Sequence, residues 1–249
     1  MKTVDKIILA GFIFLLGVAV GWIIEGQHLT LIFSSYLPAL ATLFAAYLGT
    51  KYAFDLQLAK EKEEINNRNI VNGNLTIFDI TRMINSLLAY QRQIIDPVRN
   101  KPSAFLEMSP TLFLPKEDLT IKFSDLSFLI ESEDPNLLGE LSIAEQKYEK
   151  ALDAINARSN MHLHEVQPRL ERAGIKEGGD YRMTDIEEVL GNRLFVTIKQ
   201  STSDVISHVD ETVEYLQGTG NRLSSLLKNH LPAKKVFSIS IPESIGPNE

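Results

Sequence analysis

Two apolar runs, residues 7–24 and 29–49, fill the first fifth of the chain and are separated only by Glu25, Gly26, Gln27 and His28. Crossing a ~30 Å hydrocarbon core as a helix takes about 20 apolar residues. Neither run carries a charge in its interior. The pattern predicts a two-helix transmembrane hairpin over residues 1–50. A secretory signal peptide competes for the first run, because Lys2 and Lys6 precede it. That reading fails at the exit, where Ile23, Ile24 and Glu25 lack the small residues a signal peptidase needs and a second apolar run follows at once.

Lysine and arginine near helix ends stay on the cytoplasmic side. Lys2 and Lys6 precede the first run, Lys51, Lys60, Lys62 and Arg68 follow the second, and the connecting stretch has none. The expected placement is the cell inner membrane, multi-pass with two spans and both termini cytoplasmic, with the lipid bilayer as a partner. So short an outer loop leaves no room for an external binding domain. Gly17 and Gly21 form a GxxxG pair, and Ala41, Ala45 and Gly49 place small side chains four apart. Such spacing permits close backbone approach in lipid, which makes these five the candidate transmembrane packing residues, within one hairpin or between copies. Pro38 removes a backbone donor inside the second run and is expected to kink it.

Lys2 and Lys6 cancel Asp5 and Glu25, so the whole formal charge of -7 belongs to the chain after position 50. A nucleic-acid binder offsets phosphate charge with a basic patch, and no lysine and arginine cluster with interleaved aromatics occurs, so nucleic acid is not an expected partner. Cysteine is absent, which removes disulfides, thiolate metal sites and a cysteine nucleophile. The remainder is long enough, and rich enough in leucine and isoleucine, for one domain with a core of its own.

Residues 51–231 read as a cytosolic antiparallel helical bundle with a coiled-coil-like seam, so the fold class expected is all-α. Ile70, Ile77 and Ile84 recur at sevens, and Leu88 and Ile95 extend the partner position. Asp96 and Pro97 end that helix, and Pro102, Pro110 and Pro115 mark a loop over 96–117. Its apolar residues Phe105, Leu106, Met108, Leu112 and Phe113 make it the candidate partner-docking surface at a tip far from the membrane. A short helix is expected over 118–131. Asp134 and Pro135 then open a longer one, with Leu141, Tyr148, Ile155 and His162 on one face, which Pro168 interrupts. Gly178 and Gly179 make a turn, placed beside the bilayer with Arg169, Arg172, Lys176 and Arg182 facing headgroups. Thr184 and Glu187 form a capping box for a helix reaching Gln217 or His230, and residues 232–249 read as a short strand or extended docking tail.

Chemistry is sparse. His162 with Glu165, and Asp204 with His208 and Glu211, have one-turn spacing, but the repeated Glu-x-x-His signature of di-metal bundles is missing. Gly218, Thr219, Gly220, Asn221 and Arg222 imitate a phosphate loop without the strand or the Lys-Ser/Thr ending, and a helix break or C-cap accounts for them better. No catalytic, cofactor-binding or metal-ligating residue is assigned, and no cofactor or enzyme activity is expected.

The stretch LATLFAAYLGTKYAFDLQ over 40–57, running into KEKEE, resembles the membrane-exit region of uncharacterised small bacterial inner-membrane proteins with two transmembrane helices and a cytosolic helical domain. Some proteins of that design accompany anti-phage defence systems as membrane-targeted effectors. The resemblance carries over no functional residue. The function expected is a membrane-anchored, non-enzymatic interaction or scaffold module, self-associating and recruiting an unidentified cytosolic protein to the inner membrane. The alternative is a membrane-disrupting or channel-forming effector triggered from the cytosol.

Overall fold

The computed structural model describes residues 37–111, 119–175, 181–230 and 235–239, together with positions 13, 17, 20 and 179. The chain divides into two compact units, Met1–Ile65 and Asn66–Glu249. Regular structure among the described residues is entirely helical. Helix α1 is Leu37–Tyr90, continued by a π-helical turn at Gln91–Ile95. Helix α2 is Ala104–Glu107, and a 3-10 segment covers Phe123–Glu131. Helix α3, Leu137–Met161, passes through a second π turn at His162–Val166 into α4, Gln167–Arg172. Helix α5 is Met183–Leu190 and α6 is Asn192–His230.

The inner-membrane hairpin is overturned. Among the described residues no helix is long and apolar enough to cross a membrane. Residues 37–49 of the second apolar run lie in α1, and that helix continues without interruption into Lys51, Asp55 and the charged stretch 60–64. The multi-pass placement with both termini cytoplasmic falls with the spans. The first run lies outside the described residues except at the helical positions 13, 17 and 20.

In the second unit, the seam at Ile70, Ile77 and Ile84, joined by Ile80 and Leu87, is buried as the heptad spacing predicts. It faces α6, whose buried positions include Ile198, Val205, Val209, Leu216, Leu223 and Leu227. Directions follow from paired contacts. Along α1, Gly73 meets Leu227, Ile80 lies at Gly220, and Gln91 donates to Asp210 at 3.2 Å. Along α3, Glu140 pairs with Arg222, Lys147 stands 3.9 Å from Glu211, and Arg158 reaches Thr202. Both helices therefore run antiparallel to α6 and parallel to each other, so α3 does not return along α1 as an up-down-up bundle requires.

The return is made by the segment between them. Phe105 stacks edge-on against Phe195 at 5.3 Å, Thr111 bonds Ser159, the Ile121 amide donates to Glu145 at 2.8 Å, and the Asp125 carbonyl accepts from Asn72. Each successive contact lies further back toward the start of α3. The segment lies against the bundle because Phe105, Met108, Leu119, Ile121, Leu126 and Leu129 are all core residues. Asp210 fastens the turn where it leaves α1: Arg99 grips it with two hydrogen bonds of 2.5 and 3.0 Å, and Gln91 adds a third.

Two further expectations change. The helix opened near Thr184 divides at Gly191, whose φ of 77° lies in the left-handed region that glycine adopts without strain. Gly218 and Gly220 do not break α6, which continues through both to His230. The described tail residues Lys235–Ile239 form no strand. Leu216 is fully buried in this three-helix core. Leu216→Ala is expected to lower unfolding free energy by about 2–5 kcal/mol, read from urea denaturation followed by circular dichroism.

Candidate functional site

A polar cluster lies inside the apolar core where α2 crosses α3 and α6. Arg158 has no exposed surface, and its positions relative to Ile155 and His162 place it on the buried stripe of α3. Its Nη2 donates to the Phe105 carbonyl at 3.0 Å and its Nε to the Thr202 hydroxyl at 3.3 Å, while Nη1 meets no acceptor among the described residues. Thr202 in turn donates to the Ile198 carbonyl. One turn on, His162 Nε2 stands 3.3 Å from the Leu106 carbonyl. A carbonyl only accepts, so Nε2 carries the proton and Nδ1 is a bare, buried lone pair. Arg158 and His162 thus hold consecutive carbonyls of α2 and clasp it to α3.

The electrostatics are costly. Burial pulls the Arg158 guanidinium down to about 10, offset in part by Tyr90, and no ion pair of Arg158 occurs among the described residues. Burial and the nearby Arg158 push the His162 imidazole down to about 4, so at neutral pH it is uncharged. Burial raises the Tyr90 phenol, which stays a neutral donor 4.0 Å from the Met108 sulfur. Tyr90 immediately precedes the first π turn and His162 opens the second, so both extra residues in the helical ladder lie beside the cluster. The cluster can fix the α2 backbone, and its members offer no exposed nucleophile.

The sequence candidates scatter. Phe105 and Met108 are core residues and Leu106 is half-buried, so they pack α2 down and do not present a docking tip. Leu112 and Phe113 lie outside the described residues. Gly17, Ala41, Ala45 and Gly49 are exposed in the first unit, and Gly21 lies outside the described residues. His162 faces the core while Glu165 is exposed, and no metal-holding group of three His, Asp or Glu occurs among the described residues. The cations expected at a bilayer have partners within the chain: Arg169 donates to the Leu190 carbonyl at 2.8 Å, Arg172 to that of Pro168, and Arg182 pairs with Asp185 at 3.0 Å. Lys176 is outside the described residues. Arg158 was missed because a lone arginine in a helix reads as solvent-facing; its spacing from Ile155 and His162 was the available signal.

A second feature lies on the surface of the same unit. Val71, Leu75 and Phe78, spaced i, i+4 and i+7, are 55, 57 and 54% exposed on the side of α1 away from its core seam. Asn74, on the same turns, holds the chain's own tail: its Nδ2 donates to the Lys235 carbonyl at 3.1 Å, and its Oδ1 accepts from the Phe237 amide at 3.0 Å. Phe237 is itself exposed beside this stripe.

Titration of His162 has a defined sign. Its folded value lies below the ordinary 6.5. The unfolded chain therefore takes up the proton first, and stability is full above pH 6.5 and declines as pH falls toward 4. The loss is about 3 kcal/mol. Urea midpoints measured across this window are expected to fall for the native chain and to fall less for His162→Gln; equal slopes would exclude His162 as the titrating group. No protein-family model matches the chain, and neither a curated protein nor a solved structure matches it.

Proposed function

We propose that this chain is a non-enzymatic helical interaction module that self-associates through the outer face of α1. The observation that carries the reading is the exposed stripe Val71, Leu75 and Phe78. Three large apolar side chains on one helical face, each more than half exposed, are a recurrent signature of a protein contact. Their i, i+4, i+7 spacing is self-complementary: two copies of α1 laid side by side about a two-fold axis bring the same residues together, as a symmetric dimer requires. Phe237, tethered beside the stripe through Asn74, widens the apolar face.

The net charge of -7 and the internal pairing of Arg169, Arg172 and Arg182 favour a protein partner over nucleic acid. The buried cluster supports a structural role, since Arg158 Nη2 and His162 Nε2 address consecutive carbonyls of α2.

Leu75→Lys combined with Phe78→Glu tests it. Sedimentation velocity on the full chain is expected to show an oligomer for the native protein and a monomer of unchanged helicity for the double variant. A native chain that sediments as a monomer, or a double variant that associates as the native chain does, would overturn the reading.

A further inference from the structure

Arg158 and His162 spend only part of their hydrogen-bonding capacity on the chain. A guanidinium presents several N–H donors and no acceptor, and a neutral imidazole presents an N–H and a lone pair. Arg158 uses Nε on the Thr202 hydroxyl of α6 and Nη2 on the Phe105 carbonyl of α2, which leaves the Nη1 donors unmet among the described residues. His162 uses Nε2 on the Leu106 carbonyl, which leaves the Nδ1 lone pair unmet in the same sense. Arg158 is 0% exposed and His162 8%, so neither nitrogen reaches bulk water.

The two unmet nitrogens are neighbours with opposite needs. Residues four apart share a helix face, and the His162 amide donates to both the Arg158 and Ser159 carbonyls, which keeps Arg158 and His162 one turn apart where α3 enters its π turn. Their heads hold consecutive carbonyls of α2, which sets guanidinium and imidazole side by side. Burial and the charge of Arg158 together hold the His162 imidazole low, so that charge stands close by. Nη1 can only donate, and the neutral Nδ1 can only accept. Tyr90 of α1 is within reach of the same charge, which partly offsets the effect of its burial, and its hydroxyl has only the Met108 sulfur, a weak acceptor, at 4.0 Å.

We propose that Arg158 Nη1 and His162 Nδ1 together bind one internal water molecule, which accepts from Nη1 and donates to Nδ1. Water is the smallest molecule that does both at once. A halide or other small anion answers the guanidinium alone, because it has no proton for Nδ1 and would face that lone pair. Internal waters make about three hydrogen bonds to buried polar groups that otherwise lack partners, and the Tyr90 hydroxyl is the third partner of matching chemistry. The direct bonds of Arg158 and His162 reach α2 and α6, and the water extends the same network to α1. The site is independent of the α1 stripe and of self-association.

A crystal structure of the full chain grown in bromide tests the site, with oxygen-17 magnetic relaxation dispersion as its counterpart in solution. The expected result is a density peak about 2.7–3.2 Å from both Nη1 and Nδ1, with no anomalous signal at the bromine edge. In solution the native chain is expected to hold one more long-lived water than Arg158→Met combined with His162→Leu, a pair that replaces the polar heads with apolar groups. A bromide peak at Nη1, a chain acceptor bonded to Nη1, or no density between the two nitrogens overturns the proposal. A folded double variant that retains every long-lived water of the native chain overturns it as well. If the double variant does not fold, the density in the native crystal decides.

Discussion

Helix α6 offers one continuous apolar face to two helices at once, and the second unit is organised by what that shared face can accept. Ile77, Ile80 and Ile84 of α1 and Leu141, Tyr148 and Ile155 of α3 belong to one buried cluster with Val205, Val209 and Leu216. Because α1 and α3 both lie antiparallel to α6, the chain must travel the length of the bundle between them without a third long helix. The prolines and apolar residues of 96–136 meet that demand. Proline keeps the segment from becoming helical throughout, and Phe105, Met108, Ile121 and Leu126 give it a core-facing side.

The Arg158 cluster follows from the same constraint. A helix as short as α2 leaves its last carbonyls without intrahelical partners, and each one buried against a core needs a donor. Arg158 and His162 supply donors for Phe105 and Leu106 from inside α3. The solution is expensive, since the guanidinium is buried with a carbonyl and a hydroxyl as its acceptors and no carboxylate bond among the described residues. A second cluster, formed by Phe105, Val166, Ile186, Leu190, Leu194 and Ile198, packs around the same place and shows why α2 is held there.

Periodicity made the buried faces of α1, α3, α5 and α6 legible: Ile70, Ile77, Ile84, Leu141, Tyr148, Ile155, Leu190, Ile198 and Val209 are all buried where the spacing puts them. Periodicity does not say which partner a face meets, and the direction of α3 depends on that. The apolarity of Phe105 and Met108 is satisfied equally by a docking partner and by the chain's own core. Gly220 was unreadable for a related reason. Its local preference favours a break, and the value of an absent side chain depends on Ile239, nineteen residues away in sequence and adjacent in space. The length and hydropathy of the run 29–49 pointed to a span, whereas its described part, 37–49, lies in a helix that runs on through Lys51 and the charged stretch 60–64.

The parallel placement of α1 and α3 also sets an order on assembly. Contacts such as Arg158 with Thr202 close a modest loop, whereas Gly73 with Leu227 and Asn74 with Lys235 close most of the second unit. Loop-closure entropy grows with the length closed, so the α3–α6 hairpin is the cheaper nucleus and α1 docks onto it at greater entropic cost. The contacts of Lys235–Ile239 join Asn74 of α1 to Ser224 and Gly220 of α6, so the full set can form only once those two helices have met.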